Sequence, residues 1–254
     1  MFDAGPLAVR WYGFFYALGL FTAYILSEGR LRKQGLLKKG QEGLLFNVIV
    51  LGVIGGARLG YCLFYNFTYY IEHPIEILYV WQGGLSFHGA FLGVFAALWF
   101  MGGRSIQGLQ KWGDSFALFT PLGLGFGRIG NFMNSELVGR PTNGNWGVMF
   151  ERVDLIPRHP SQLYEAVLEG YLLFAILYFL SQKTNREGLI FWTCIALYGT
   201  FRFFVEFFRL PDEHLGLVWQ GFSQGQILSL PMIFFAVLMT FRCLKTSPPT
   251  RIIV

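Results

Sequence analysis

Seven apolar stretches restrict what this chain can become. They lie near 11–28, 44–64, 85–102, 114–133, 163–181, 188–208 and 223–243, each long enough, or nearly so, to cross a hydrocarbon core of roughly 30 Å. Inside a bilayer no water satisfies backbone N–H and C=O groups, so a crossing segment must bond to itself as a helix. The expectation is an all-α integral membrane protein with a single membrane domain over 1–254. Composition agrees. The chain is 54% hydrophobic, 19% aromatic and only 14% charged, against about 25% charged in soluble domains. Its 28 Phe, 12 Tyr and 7 Trp suit lipid-facing and interfacial surfaces.

Lysine placement orients the stretches. Lys33, Lys38, Lys39, Lys111, Lys183 and Lys245 all follow stretch one, three, five or seven. Basic loops stay in the cytoplasm, so seven transmembrane helices would put the N-terminus outside and the C-terminus in the cytoplasm. The start of the chain has no basic leader or cleavage site of signal-peptide type, and the first stretch is expected to insert as an anchor. Residues 65–84 and 134–162 are longer than hairpins need and are expected to form a small periplasmic arm or head. The net charge of +5 is spread between apolar segments rather than along one stripe, which argues against nucleic acid as a partner. Cys62, Cys194 and Cys243 lie in or beside apolar segments and read as small core residues.

Eight arginines break the charge bias: Arg10, Arg58, Arg128, Arg140, Arg152, Arg158, Arg202 and Arg209. They fall within stretches or on the outer side. One reading makes them ion-pair partners of Glu136, Glu165, Glu169 and Glu206. The other makes some of them an outward-facing anion site, because a planar guanidinium fork binds phosphate and stays charged. The segment from Gly125 to Pro141, GFGRIGNFMNSELVGRP, concentrates the question. It sets Arg128, Asn131, Asn134, Glu136 and Arg140 where a membrane helix should be apolar, and polar residues there are functional-site candidates by default. Tyr198, Arg202, Glu206 and Arg209 follow at spacings that place them on one helical face. His88 lies at the outer end of the third stretch, where an imidazole suits a base. Ser161 reads as the N-cap of the fifth stretch. No HExxH, Walker or nucleophile-elbow pattern occurs, so neither a metal nor a cofactor is expected. An anion or lipid transporter would also line its path with arginines. Polar residues crowd the outer half without an inner counterpart, which disfavours a through-pathway.

At these residues the chain resembles the bacterial prolipoprotein diacylglyceryl transferase family, also called phosphatidylglycerol–prolipoprotein diacylglyceryl transferase. The resemblance rests on Arg10-Trp11-Tyr12-Gly13, Gly55-Gly56-Ala57-Arg58, Gly84-Leu85-Ser86-Phe87-His88-Gly89, the Gly127-to-Pro141 signature, Arg158 to Glu165 and Phe201 to Arg209. One departure is Ser135, where the family commonly has glycine. The resemblance implies transfer of the diacylglyceryl group of phosphatidylglycerol to the lipobox cysteine thiol of a preprolipoprotein signal peptide. Glycerol phosphate leaves and a thioether forms, the first step of bacterial lipoprotein maturation, before signal peptidase II acts. It also implies residence in the bacterial cytoplasmic (inner) membrane, with membrane lipid as partner and the active site facing outward. His88, Arg128 and Arg202 take catalytic roles by this resemblance. Tyr12, Arg128, Asn131, Glu136, Gly139, Tyr198, Glu206 and Arg209 bind or shape the substrate site.

Overall fold

Each expected stretch coincides with a helix in the computed structural model, which describes residues 2–4, 7–9, 11–184, 186–210, 217–219 and 221–246. For a few of these, Tyr12 and His88 among them, only the backbone is described. The helices are α1 (Trp11–Lys33), α2 (Glu42–Phe64), a short α3 (Phe67–Glu72), α4 (Phe87–Met101) and α5 (Ile106–Asn134). Then α6 (Ser161–Glu165) runs through a π-helical segment (Ala166–Leu172) into α7 (Leu173–Lys183), followed by α8 (Leu189–Val205) and α9 (Gln224–Thr246). Helix α5 begins at Ile106 rather than near 114. Its polar first turns escape a hydropathy reading, but the Ser105 hydroxyl accepts the Gly108 N–H at 3.0 Å and caps them.

Among the described residues three helices are long and apolar enough to cross a membrane: Glu42–Phe64, Ser161–Lys183 and Gly225–Lys245, at mean hydropathies of 1.7, 1.6 and 2.1. Gly89–Met101 and Leu189–Val205 are apolar but shorter. Large apolar side chains such as Leu51, Phe64, Phe179 and Phe234 stand exposed on the helices. Water would not tolerate that surface; hydrocarbon does. Extended structure among the described residues is confined to three two-stranded antiparallel ribbons: β1 (Phe2–Ala4) with β2 (Leu7–Val9), β3 (Val148–Met149) with β4 (Pro157–Arg158), and β5 (Leu217–Trp219) with β6 (Phe222–Ser223).

Packing divides into two units, residues 30–113 and residues 1–29 with 114–254. In the first, α2 and α4 meet along glycines. A Cβ on Gly60 would sit 2.6 Å from the Gly89 Cα, and one on Gly52 2.6 Å from the Gly93 carbonyl oxygen. Small residues four apart let two backbones touch, which is how helices associate where hydrophobic burial gives no advantage. Arg58 on α2 is buried yet takes main-chain partners. Its Nε donates to Ile77 O at 2.9 Å and its two Nη donate to Glu76 O and Gly83 O at 2.6 Å. The guanidinium also lies 5.0 Å from the Tyr70 ring centroid. One arginine thereby holds α3 and the short 3-10 turns of 74–82 close to α2. It fixes the loop that leads into α4, whose Ser86 cap accepts the Gly89 N–H.

In the second unit, Leu118, Leu173, Leu177 and Ile190 form a dry core between α5, α7 and α8. Asp114 on α5 reaches the start of α8, where its carboxylate accepts the Gly188 and Phe191 N–H groups at 2.7 and 2.8 Å. A helix N-terminus carries unsatisfied donors and partial positive charge, so this carboxylate caps α8 from another helix. Close glycine contacts recur, with a Cβ on Gly170 falling 2.7 Å from the Gly125 Cα. Gly93→Ala should lower the melting temperature of the detergent-solubilised protein, by an overpacking cost of about 1–3 kcal/mol. Gly55→Ala, with nothing within 4 Å of the added Cβ, should leave it unchanged.

Candidate active site

Helix α5 ends inside the signature, and its end is built from the signature's own polar residues. The Asn131 and Asn134 side-chain amides both donate to the Glu136 carboxylate at 3.2 Å, and the Glu136 N–H returns to Asn131 O at 2.9 Å. Ser135 and Leu137 have φ of 58° and 54°, the left-handed region that ends helices and favours glycine. A glycine at position 135 would adopt this conformation without strain. Ser161 is not an N-cap: Pro160 occupies that position, and the Ser161 hydroxyl instead donates to Leu137 O at 3.2 Å. The Gln162 amide donates to Glu136 O at 2.7 Å. The start of α6 is thereby tied to the end of α5.

The chain beyond Glu136 then threads between two others. Gly139 N–H donates to His159 O, Arg140 N–H to Phe208 O, and Leu210 N–H to Val138 O. A Cβ on Gly139 would lie 2.8 Å from Phe208 O and overlap His159 O on the other side, so only glycine fits. Arg158 donates to Gly139 O at 3.1 Å and pairs with Asp154 at 2.5 Å. That hydrogen bond from Arg158 holds the Asp154 carboxyl below its usual range. Arg140 donates from Nε to Arg209 O at 2.9 Å. These links fix Arg209 against the end of the signature.

The arginines of α5 and α8 converge on one carboxylate. Glu165, 1% exposed, receives Arg128 Nε on Oε2 at 2.5 Å, and Arg202 and Arg209 on Oε1 at 3.1 and 3.4 Å. Arg202 also pairs with Glu206 at 2.8 Å, one turn further along. Glu169 lies 4.0 Å from Arg128 and 3.9 Å from Arg202. Three guanidinium groups and three carboxylates thus gather in one cluster. Uncompensated charge in a low-dielectric interior is costly, and this pairing offsets it.

Of the residues singled out in the sequence, Arg128, Arg202, Glu206 and Arg209 belong to this cluster, and Asn131, Glu136 and Gly139 to the helix end and the bridged segment beside it. Tyr198 packs with the α5–α7–α8 core. The side chains of Tyr12 and His88 lie outside the described residues. Glu165 and Glu169, which the sequence offers as ion-pair partners of the arginines, take that place; Gln162 is not among the expected residues. The signal for the two acids was present in their spacing of four within an apolar stretch. Chemically, each guanidinium has five N–H donors, and its carboxylate contacts use only part of them. The arrangement presents oriented cationic donors in a membrane protein, the equipment for holding a phosphate and stabilising charge that develops on it. Among the described residues no group of His, Cys, Asp and Glu is arranged to hold a metal ion.

Comparison with known proteins agrees in one direction. The profile of the family described as prolipoprotein diacylglyceryl transferase matches residues 1–242. A protein of Geobacter sulfurreducens is 47% identical over 239 residues, covering 94% of this chain and 92% of its own. One of Nitrosospira multiformis is 49% identical over 254 residues, covering 96% and 86%. One of Pseudoalteromonas atlantica is 48% identical over 237 residues, covering 92% and 84%. All three bear the name phosphatidylglycerol–prolipoprotein diacylglyceryl transferase.

Because Glu165 serves three arginines, Glu165→Ala should destabilise the protein by about 3–5 kcal/mol, the cost of stranding buried charge. Thermal unfolding in detergent checks this. Asp154→Asn, which neutralises a half-buried partner and keeps an acceptor for Arg158, should shift the transition far less.

Proposed function

The chain belongs to the prolipoprotein diacylglyceryl transferase family, and on that premise we propose that it transfers the diacylglyceryl group of phosphatidylglycerol to a prolipoprotein, opening lipoprotein maturation. The acceptor is the lipobox cysteine thiol at the end of a signal peptide. The convergence of Arg128, Arg202 and Arg209 on a single buried carboxylate carries the reading. It gathers phosphate-binding groups at one place in a chain built of apolar helices.

In the proposed reaction the cysteine sulfur attacks the glyceryl carbon that bears the phosphate. The carbon–sulfur bond forms as the carbon–oxygen bond breaks, and the electron pair leaves on the oxygen of glycerol phosphate. Arg128 and Arg202 hold that phosphate and stabilise the growing charge, which fixed donors in a dry site do strongly. Asn131 adds a neutral donor. Glu206 and Arg209 orient the clamp, Glu136 and Gly139 fix the segment beside it, and Tyr12 and Tyr198 shape the head-group region. His88 takes the thiol proton, since the thiolate is the nucleophile. The acyl chains stay in an apolar cleft open sideways to membrane lipid.

The same reading gives seven membrane spans, α1, α2, α4, α5, the 161–183 rod, α8 and α9, in the bacterial cytoplasmic membrane. The N-terminus is outside, the C-terminus is in the cytoplasm, and the site opens outward. The lysine distribution supports this orientation, and residues 65–84 and 134–162 are then the periplasmic arm segments.

Mass spectrometry of a lipobox peptide incubated with the protein and phosphatidylglycerol should show the gain of one diacylglyceryl unit; an unchanged peptide mass would refute the activity. Arg128→Lys keeps the charge and loses the fork. It should slow transfer about 10²-fold, and transfer at the wild-type rate would remove the Arg128 fork from the mechanism.

A further inference from the structure

Glu169 is the cluster member with the weakest hold. It sits on the π-helical segment Ala166–Leu172, a distortion that re-aims side chains and recurs at functional sites. It is 1% exposed, and among the described residues neither of its carboxylate oxygens has a hydrogen bond. Its cationic neighbours, Arg128 on α5 and Arg202 on α8, stand 3.9–4.0 Å away because both are drawn to Glu165. Glu165 itself, the Arg209 guanidinium and the Tyr198 hydroxyl complete the ionisable groups that act on it.

The charges of Arg128, Arg202 and Arg209 match those of Glu165, Glu169 and Glu206. A phosphodiester carries one further negative charge. Bringing it to the arginines leaves the buried cluster with an excess anion, and such a site neutralises a group rather than hold the excess. Glu206 and Glu165 each have a guanidinium within 2.8 Å. Glu169 has no ion pair shorter than 3.9 Å to give up, and its like-charged neighbour Glu165 lies four residues before it. Resting on the function proposed above, we propose that Glu169 takes up one proton as the phosphate of phosphatidylglycerol binds, and releases it when the phosphate leaves. Glu169 is then a positioning residue: by giving up its charge it keeps the cluster neutral with the phosphate in place, while Glu165 continues to hold Arg128 and Arg202.

The test is binding of phosphatidylglycerol to the full chain in a neutral detergent, with no acceptor peptide. Calorimetry in buffers of differing ionisation enthalpy should show uptake of up to one proton per lipid. Wild-type affinity should weaken as pH rises, at most tenfold per unit for one proton. Glu169→Gln, permanently neutral, should bind at neutral pH at least as tightly as wild type and lose the pH dependence. Diacylglycerol, which lacks the phosphate, should bind without proton uptake. The proposal is overturned if wild type binds phosphatidylglycerol without taking up a proton, if Glu169→Gln keeps the slope, or if that variant binds tenfold more weakly throughout. The wild-type calorimetry decides even where the variant fails to fold. Proton-coupled binding without transfer to a cysteine peptide would sink the proposed activity and spare this inference, and transfer without proton uptake would do the reverse.

Discussion

Electrical neutrality in a medium that cannot solvate ions governs the 114–254 part of this chain. Glu165 is the centre of that balance. Three arginines from α5, α8 and the turn after α8 reach one carboxylate that solvent barely touches. Each arginine alone would be a severe cost near hydrocarbon; together with Glu165, Glu169 and Glu206 they form a neutral body. The helix ends around them have to hold their angles for this to persist. The side-chain bonds of Ser161 and Gln162 to Leu137 and Glu136, and of Arg140 to Arg209, serve that end. The proposed function draws on the same balance, since a cluster that is neutral when empty would have to respond to an arriving anion.

A second theme is the service of main-chain groups by distant side chains. Arg58 spends its donors on the carbonyls of 76, 77 and 83, and Asp114 accepts the first N–H groups of α8. Irregular backbone inside an apolar protein has few other partners. Arg58 therefore shows that an arginine set against the charge bias can be wholly architectural, and Arg158, clasped by Asp154 and Gly139 O, is another. The arginines that converge on Glu165 differ in kind. Their partners are carboxylates rather than main-chain carbonyls.

Hydropathy made the helices legible, because a stretch of apolar residues of membrane length has one economical conformation. It misjudged the start of α5, where capping by Ser105 rather than apolarity sets the limit. Residue type in turn misjudges Ser161 as a cap, because Pro160 before it already takes that position. Arg202 and Glu206 could be paired from their spacing. Glu165 as the meeting point of Arg128, Arg202 and Arg209 could not, since these residues come from separate segments and only tertiary packing joins them. The π-helical turn was equally hidden. A glutamate at each end of a four-residue interval looks like an ordinary α-helical face, and the widened turn leaves no periodic trace in so short a segment.

The spacing of the cluster along the chain also sets an order of events during synthesis. Arg128 emerges from the ribosome first. Glu165 follows 37 residues later, and Arg202 follows Glu165 by a further 37. The Asp114 cap waits 74 residues for Gly188. When α5 is complete, the acid that Arg128 pairs with has not yet been made, and the cluster closes only after residue 209. The ion pairing that joins α5, the 161–183 rod and α8 is therefore one of the last contacts that synthesis can complete.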